Sequence, residues 1–337
     1  RTELSFTTAP APQEVRGEVR DGVLLVNGDP FLPLISWQQC PVQWQPSLDV
    51  GINLFAAGSP CASPSSTLEA LRGRALIAGV EGEPPVPGLL GWFYPDEADA
   101  RGLTGDSLPA LPAGVRFLTI TAHFASAAAP LPSGRGMYPG LVAAADVVGF
   151  DLYPLQELCR RDLLPVVFDA QQELEALAPA KPTFQWIEVR GMRCGNTPDT
   201  SISPATIRAE SWLALAAGAH GLGFFPPDWD VFAPAVIRGI AARVRQLEPA
   251  LLQPNQPVSV DAPPGVRASA RVYHDAIYVI AVNAGTAAAD IRVTVPGLGN
   301  RALLTLGESK TLYAHTDAFS DRLRPLGVRI YVAAPVD

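Results

Sequence analysis

Charge is scarce in this sequence: 17% of its 337 residues are Asp, Glu, Lys or Arg, and the acids prevail for a net charge of −8. A nucleic-acid binder needs a basic surface to neutralise phosphates, so that class is set aside. No apolar run reaches the ~18 residues that a membrane span requires. The start, "RTELSF", lacks a signal-peptide pattern and reads as a trimmed mature chain. The four cysteines include no C-x-x-C, and no H-E-x-x-H or paired histidines offer a zinc site. A P-loop, a Gly-rich turn after the first strand and a G-x-S-x-G elbow are also missing. No metal and no cofactor are therefore expected.

What is present is a rhythm. Short apolar runs recur at 31–37, 52–58, 75–81, 89–97, 116–124, 146–154, 182–189 and 221–229, with helix-compatible segments between several of them. "SPSSTLEALRGR", "LPVVFDAQQELEALAP" and "SPATIRAESWLALAAGA" read as amphipathic helices, although "LPVVFDA" has strand character of its own. Ser203 followed by Pro204 is a helix start. "FAPAVIRGIAARVRQLEPALL" supplies a last helix. Nearly continuous apolar strands alternating with helices indicate a parallel sheet covered on both faces. Eight such units point to an α/β fold of the (β/α)8 TIM-barrel type, with a doubly wound open sheet as the alternative. Before the barrel, Asp21-Gly22 and Asn27-Gly28 are hairpin turns. After about Asn255, period-2 strands with Gly, Asn and Pro turns describe an antiparallel β-sandwich. The expected divisions are 1–30 for the hairpin lead-in, 31–253 for the barrel and 254–337 for the sandwich.

A TIM barrel works at the C-terminal ends of its strands. The fourth run, "LLGWFYPDEAD", stops at Pro95 and is followed at once by Asp96, Glu97 and Asp99. The seventh ends in Glu188. The fourth and seventh strands of eight lie nearly opposite each other, so Glu97 and Glu188 are placed to flank one bond. Glycoside hydrolysis uses such a pair, one carboxyl protonating the leaving oxygen while the other attacks the sugar or activates water. His123, Asp151 and Tyr153 end the fifth and sixth runs and are candidate substrate contacts. Trp37, Trp186 and Trp229 are candidate platforms for sugar C–H faces, and Trp92 reads as a residue pointing into the barrel. Cys40 and Cys61 follow adjacent strands, as do Cys159 and Cys194, so two disulfides across neighbouring loops are expected, against the alternative of four free thiols. Those disulfides suggest a secreted or extracytoplasmic protein.

The layout resembles the clan-A glycoside hydrolases. "VLLVNGDPFLPLISW" is similar to the segment that opens many such barrels, and "TIRAESWLALAAGAHGLGFF" to their approach to the eighth strand. The resemblance covers most of residues 20–230. It implies an oligosaccharide or polysaccharide substrate, Glu97 as acid/base, Glu188 as nucleophile and a retaining reaction. One departure stands out: the residue before the acid/base is Asp96 where the group usually has Asn. An Asp-Glu pair is also similar to that of substrate-assisted hexosaminidases, so Asp96 joins the substrate-binding candidates. The alternative of another class is a non-catalytic carbohydrate-binding or surface protein on the same scaffold.

Overall fold

A computed structural model describes residues 15–335 apart from 196 and 198; the first fourteen residues of the hairpin lead-in lie outside the described residues. Strand β1 (Gly17–Arg20) pairs antiparallel with β2 (Val23–Val26), and β2 with β3 (Asp29–Pro30). Asp21 and Gly22 take φ of 51° and 77°, and Asn27 and Gly28 take 53° and 92°. These are the left-handed conformations that Asp-Gly and Asn-Gly tolerate and that match the twist of a hairpin. Leu24 of β2 packs with the barrel interior, so the hairpin closes the N-terminal end.

Eight parallel strands then form one closed barrel in chain order: β4 (Leu34–Trp37), β5 (Leu54–Ala57), β6 (Leu76–Val80), β7 (Gly91–Phe93), β8 (Val115–Thr121), β9 (Val147–Asp151), β10 (Thr183–Glu188) and β11 (Leu222–Phe225). Around it run α1 (Pro41–Val50), α2 (Pro64–Leu71), α3 (Tyr138–Ala144), α4 (Val166–Leu177), α5 (Pro204–Ala217) and α6 (Ala233–Leu251). The Ser203 hydroxyl accepts from the Thr206 N–H at the start of α5, a cap whose loss costs about 1 kcal/mol. "VVFDA" is the first turn of α4 and not a strand. Among the described residues no helix joins β6 to β7, and only a 3₁₀ turn lies between β7 and β8.

The barrel interior is an aromatic plug. Trp37, Phe93, Phe117, Phe184 and Trp186 meet there, with Trp37 edge-on to Trp186 at 5.4 Å and to Phe93 at 5.5 Å. Glycine makes room for it: a Cβ on Gly149 would lie 2.3 Å from the Phe184 ring, and one on Gly223 would lie 2.1 Å from Trp186. Truncating such a ring costs about 3–5 kcal/mol. Trp92 faces the other way, into the layer between barrel and helices, which corrects the expectation that it points inward.

The C-terminal region holds two antiparallel sheets. One orders β12 (Ser259–Asp261), β15 (Ala289–Thr294) and β18 (Ala318–Leu323). The other orders β13 (Val266–Tyr273), β14 (Ala276–Asn283), β19 (Val328–Ala333), β16 (Ala302–Thr305) and β17 (Thr311–Tyr313). Val279 and Tyr331 of the second share a core with Ile291, Val293 and Phe319 of the first, which makes the pair a sandwich. Its other face docks on α5 and α6, where Ile280 and Ile330 join the main core. Buried Arg271 reaches across to the carbonyls of Leu215 and Gln253.

Candidate active site at the barrel mouth

Inward-facing residues alternate along each strand, and at the C-terminal rim this places carboxylates over the plug. In β9 the inward series is Val147, Gly149 and Asp151. Asp151 is the last residue of that strand, in register with Thr121 of β8 and Trp186 of β10. It keeps part of its surface exposed. The Tyr153 hydroxyl donates to its Oδ1 at 2.7 Å, and the Tyr153 ring is buried and stacked on Phe225.

The three acids after β7 divide by environment. Asp99 is buried and serves the scaffold: it accepts from the Thr121 N–H at 2.9 Å, from the Thr121 hydroxyl and from the Tyr138 hydroxyl at 3.0 Å. Asp96 and Glu97 stay half-buried at the mouth. Glu97 sits at φ 49°, a left-handed conformation that a non-glycine residue adopts at a cost of about 1–2 kcal/mol.

These side chains form one electrostatic unit. Burial pushes Asp151 well above the usual carboxylate range, and the Asp96 charge is the next largest contribution in the same direction, with Glu97 and Glu157 adding to it. Asp96 is also raised, by burial, which outweighs the opposing pull of the Arg101 guanidinium and the Glu97 backbone N–H. Glu97 is raised by burial and by Asp96, Glu157 and Asp99, and is held down by Arg101. All three carboxyls hold their protons more tightly than free acids, Asp151 most of all, and a raised acid is what proton donation to a leaving group needs. Arg101 and Glu157 escaped the sequence reading. Arg101 left a signal, standing four residues after Glu97 as a lone base among acids; Glu157 left none.

Glu188, the expected nucleophile, lies apart from this half-exposed set. It is fully buried, and its oxygens accept from the backbone N–H groups of Leu155 at 2.9 Å and Gln156 at 2.8 Å. Its own N–H donates to Glu210 on α5. Burial raises Glu188 to about 7, against the pull of its two N–H donors, and drives Glu210 well above the usual range.

Two of the expected platforms, Trp37 and Trp186, are buried. Trp186 is buried in the plug and donates its indole N–H to the Thr119 hydroxyl at 3.1 Å, so it presents no face to a ligand. Trp37, 9% exposed, offers an edge at most. Trp229, half-buried on the loop after β11, packs edge-on against Phe224 and keeps some surface at the rim. His123 turns to its own loop, with Nδ1 2.7 Å from the Ala129 carbonyl oxygen. Both expected disulfides are present. Cys40–Cys61 ties the loops after β4 and β5, and Cys159–Cys194 ties those after β9 and β10, with Cα atoms 5.5 and 5.6 Å apart.

No family model and no curated protein matches the chain. Solved structures do. Alpha-galactosidase I from Mortierella vinacea superposes with a TM-score of 0.57 at 10% identity, over 90% of this chain and 97% of that one. The maltogenic alpha-amylase AmyB from Thermotoga neapolitana gives 0.57 at 8% identity, over 90% and 99%. A GH30 endoxylanase from Clostridium papyrosolvens C71 gives 0.52 at 9% identity, over 95% and 100%. At these identities the likeness is one of fold: the chain has the barrel architecture on which these glycoside hydrolases are built.

Proposed function

We propose that the chain hydrolyses O-glycosidic bonds at the C-terminal mouth of its barrel, with Asp151 as the general acid and Asp96 as the ionised partner. The observation that carries this reading is that two strand ends bring carboxyl groups into one partly exposed mouth, where burial raises both and raises Asp151 further than Asp96. In the first step Asp151 gives its proton to the glycosidic oxygen. That oxygen leaves with the electron pair of its bond to the anomeric carbon. Asp96 attacks that carbon as a nucleophile, its charge balancing the oxocarbenium-like transition state, and the reaction is retaining. Water, deprotonated by Asp151, then frees the sugar from Asp96. Glu97 replaces neither residue in this scheme; its half-buried carboxyl is placed to accept hydrogen bonds from substrate hydroxyls. Trp229 and the edge of Trp37 supply the apolar contact.

Support comes from the barrel likeness to proteins named as a galactosidase, an amylase and an endoxylanase. The two disulfides favour work in an oxidising, extracytoplasmic setting. The test is a panel of aryl glycosides and polysaccharides, with binding measured alongside product release. Release by the wild type that is lost in Asp151→Asn, with unchanged melting, supports the assignment. Binding with no release from any substrate means a carbohydrate-binding protein on a hydrolase scaffold.

A further inference from the structure

Glu188 occupies a strand end that ought to be useful, yet its oxygens are spent on backbone. The residues it holds begin a turn. Tyr153 O accepts from the N–H groups of Glu157 and Leu158, both at 3.1 Å. Such a turn leaves the N–H groups near its start without partners inside it. Leu155 and Gln156 are two of these, and Glu188, from a different strand, accepts from both. It caps the turn from across the rim.

Gln156 then sews the same turn to the loop after β10. Its side-chain N–H donates to the Thr200 carbonyl at 2.6 Å, its side-chain oxygen accepts from the Met192 N–H at 2.8 Å, and its carbonyl accepts from the Arg193 N–H at 3.2 Å. The Cys159–Cys194 disulfide closes the same pair of loops a few residues on. At the start of the turn stands Tyr153, its ring on Phe225, which is the register partner of Glu188. Its hydroxyl is on Asp151.

We propose that Glu188 is a positioning residue: by fixing the N–H groups of Leu155 and Gln156 it holds the turn that keeps the Tyr153 hydroxyl on Asp151. The inference rests on the reading of Asp151 as the general acid for its catalytic meaning, and on the hydrogen bonds and ring stacking above for its geometry. The charged and titratable groups around Asp151 are Asp96, Glu97, Glu157 and Tyr153; those around Glu188 are Glu157 and Glu210.

The sign of one shift tests it. The Tyr153 hydrogen bond favours ionised Asp151, so losing it raises the titration of Asp151. Losing a nearby negative charge would lower that titration instead. Carboxyl-carbon NMR of Asp151 is compared in the wild type, Tyr153→Phe and Glu188→Gln, together with amide hydrogen exchange at Leu155 and Gln156. Glu188→Gln replaces one of the two acceptor oxygens with an N–H₂ donor, so exchange at the amide facing that donor accelerates at least tenfold. Asp151 titrates higher by about one pH unit in both variants. On a glycoside that the wild type cleaves, the alkaline limb of the rate profile moves the same way, and added azide restores nothing to Glu188→Ala. Unchanged exchange, a downward shift of Asp151, or azide rescue with a glycosyl azide product overturns the proposal, the last by making Glu188 the nucleophile. A lower melting temperature with Asp151 unmoved reduces Glu188 to a structural role and also overturns it. If the wild type cleaves no glycoside, the hydrolase reading fails while the NMR and exchange measurements still decide the positioning claim.

Discussion

Asp151 and Glu188 end neighbouring barrel strands, and both belong to the inward-facing series at the same rim. One is partly exposed as a residue and accepts from a tyrosine hydroxyl. The other is roofed over and gives both oxygens to backbone N–H groups. Equivalent positions on the barrel therefore give two carboxylates different surroundings. What fills their lone pairs makes the difference, and here the filling comes from a loop attached to a different strand.

The largest expected effect separates the two acids by activity. Asp151→Asn lowers kcat by about 10²–10⁴-fold, the usual range for a general acid, with a wild-type circular dichroism spectrum. Asp96→Asn does the same, whereas Glu97→Gln loses about ten- to a hundredfold, as for one hydrogen bond to a charged group. Equal collapse in Glu97→Gln alone would return the acid role to Glu97.

Stability sharpens the contrast from the other side. Glu188→Ala strands two buried N–H groups, each costing about 1–3 kcal/mol, so its denaturant midpoint falls well below that of Asp151→Asn. The disulfides staple the same rim. Their sequence separations of 21 and 35 correspond to about 3–4 kcal/mol each on chain-entropy grounds. Mild reduction should lower the melting temperature and loosen the mouth together, read by thermal melts and by hydrogen exchange in the loops after β9 and β10.

A smaller effect concerns pH. Glu188 and Glu175 are both raised from 4.5 to about 7, Glu188 by burial against its N–H donors and Glu175 by burial against its bonds to Thr183 and Gln171. A raised acid stabilises the fold below its unfolded value and gives that stability up as pH climbs through the folded value. Buried His220, lowered to about 4 by burial and by Arg271, works in the opposite sense as pH falls below 6.5. Asp96, Glu97, Asp151 and Glu210 are raised as well, so the acids outweigh this one base: chemical denaturation should show stability declining as pH climbs from about 4.5 to 7, and Glu175→Gln should flatten that slope. A slope of the other sign would mean that the carboxylates are better solvated than the structure shows.

Much of the scaffold was legible because its signals are local. Parallel strands covered on both faces are continuous apolar runs, so all eight could be read directly. Asp21-Gly22 and Asn27-Gly28 announce their turns. The cysteine pairs followed once the strands were placed on a ring. The errors were non-local. "VVFDA" has strand composition, but it follows a 3₁₀ turn and runs on into helix. Trp92 was misjudged because facing flips with every residue, and the sequence does not say which parity meets the barrel axis; the sequence also does not say how deep in the barrel the inward-facing Trp186 sits. For Glu188 the deciding partners are main-chain N–H groups more than thirty residues away, which no side-chain pattern could reveal.

The most direct measurement is labelling by a sugar epoxide that enters as substrate and esterifies the attacking carboxylate, followed by peptide mapping in a mass spectrometer. The label should fall on the peptide carrying Asp96 and should be lost in Asp96→Asn. A label on Glu188 would show that the roof seen over that residue opens, and that the bond is cut there instead.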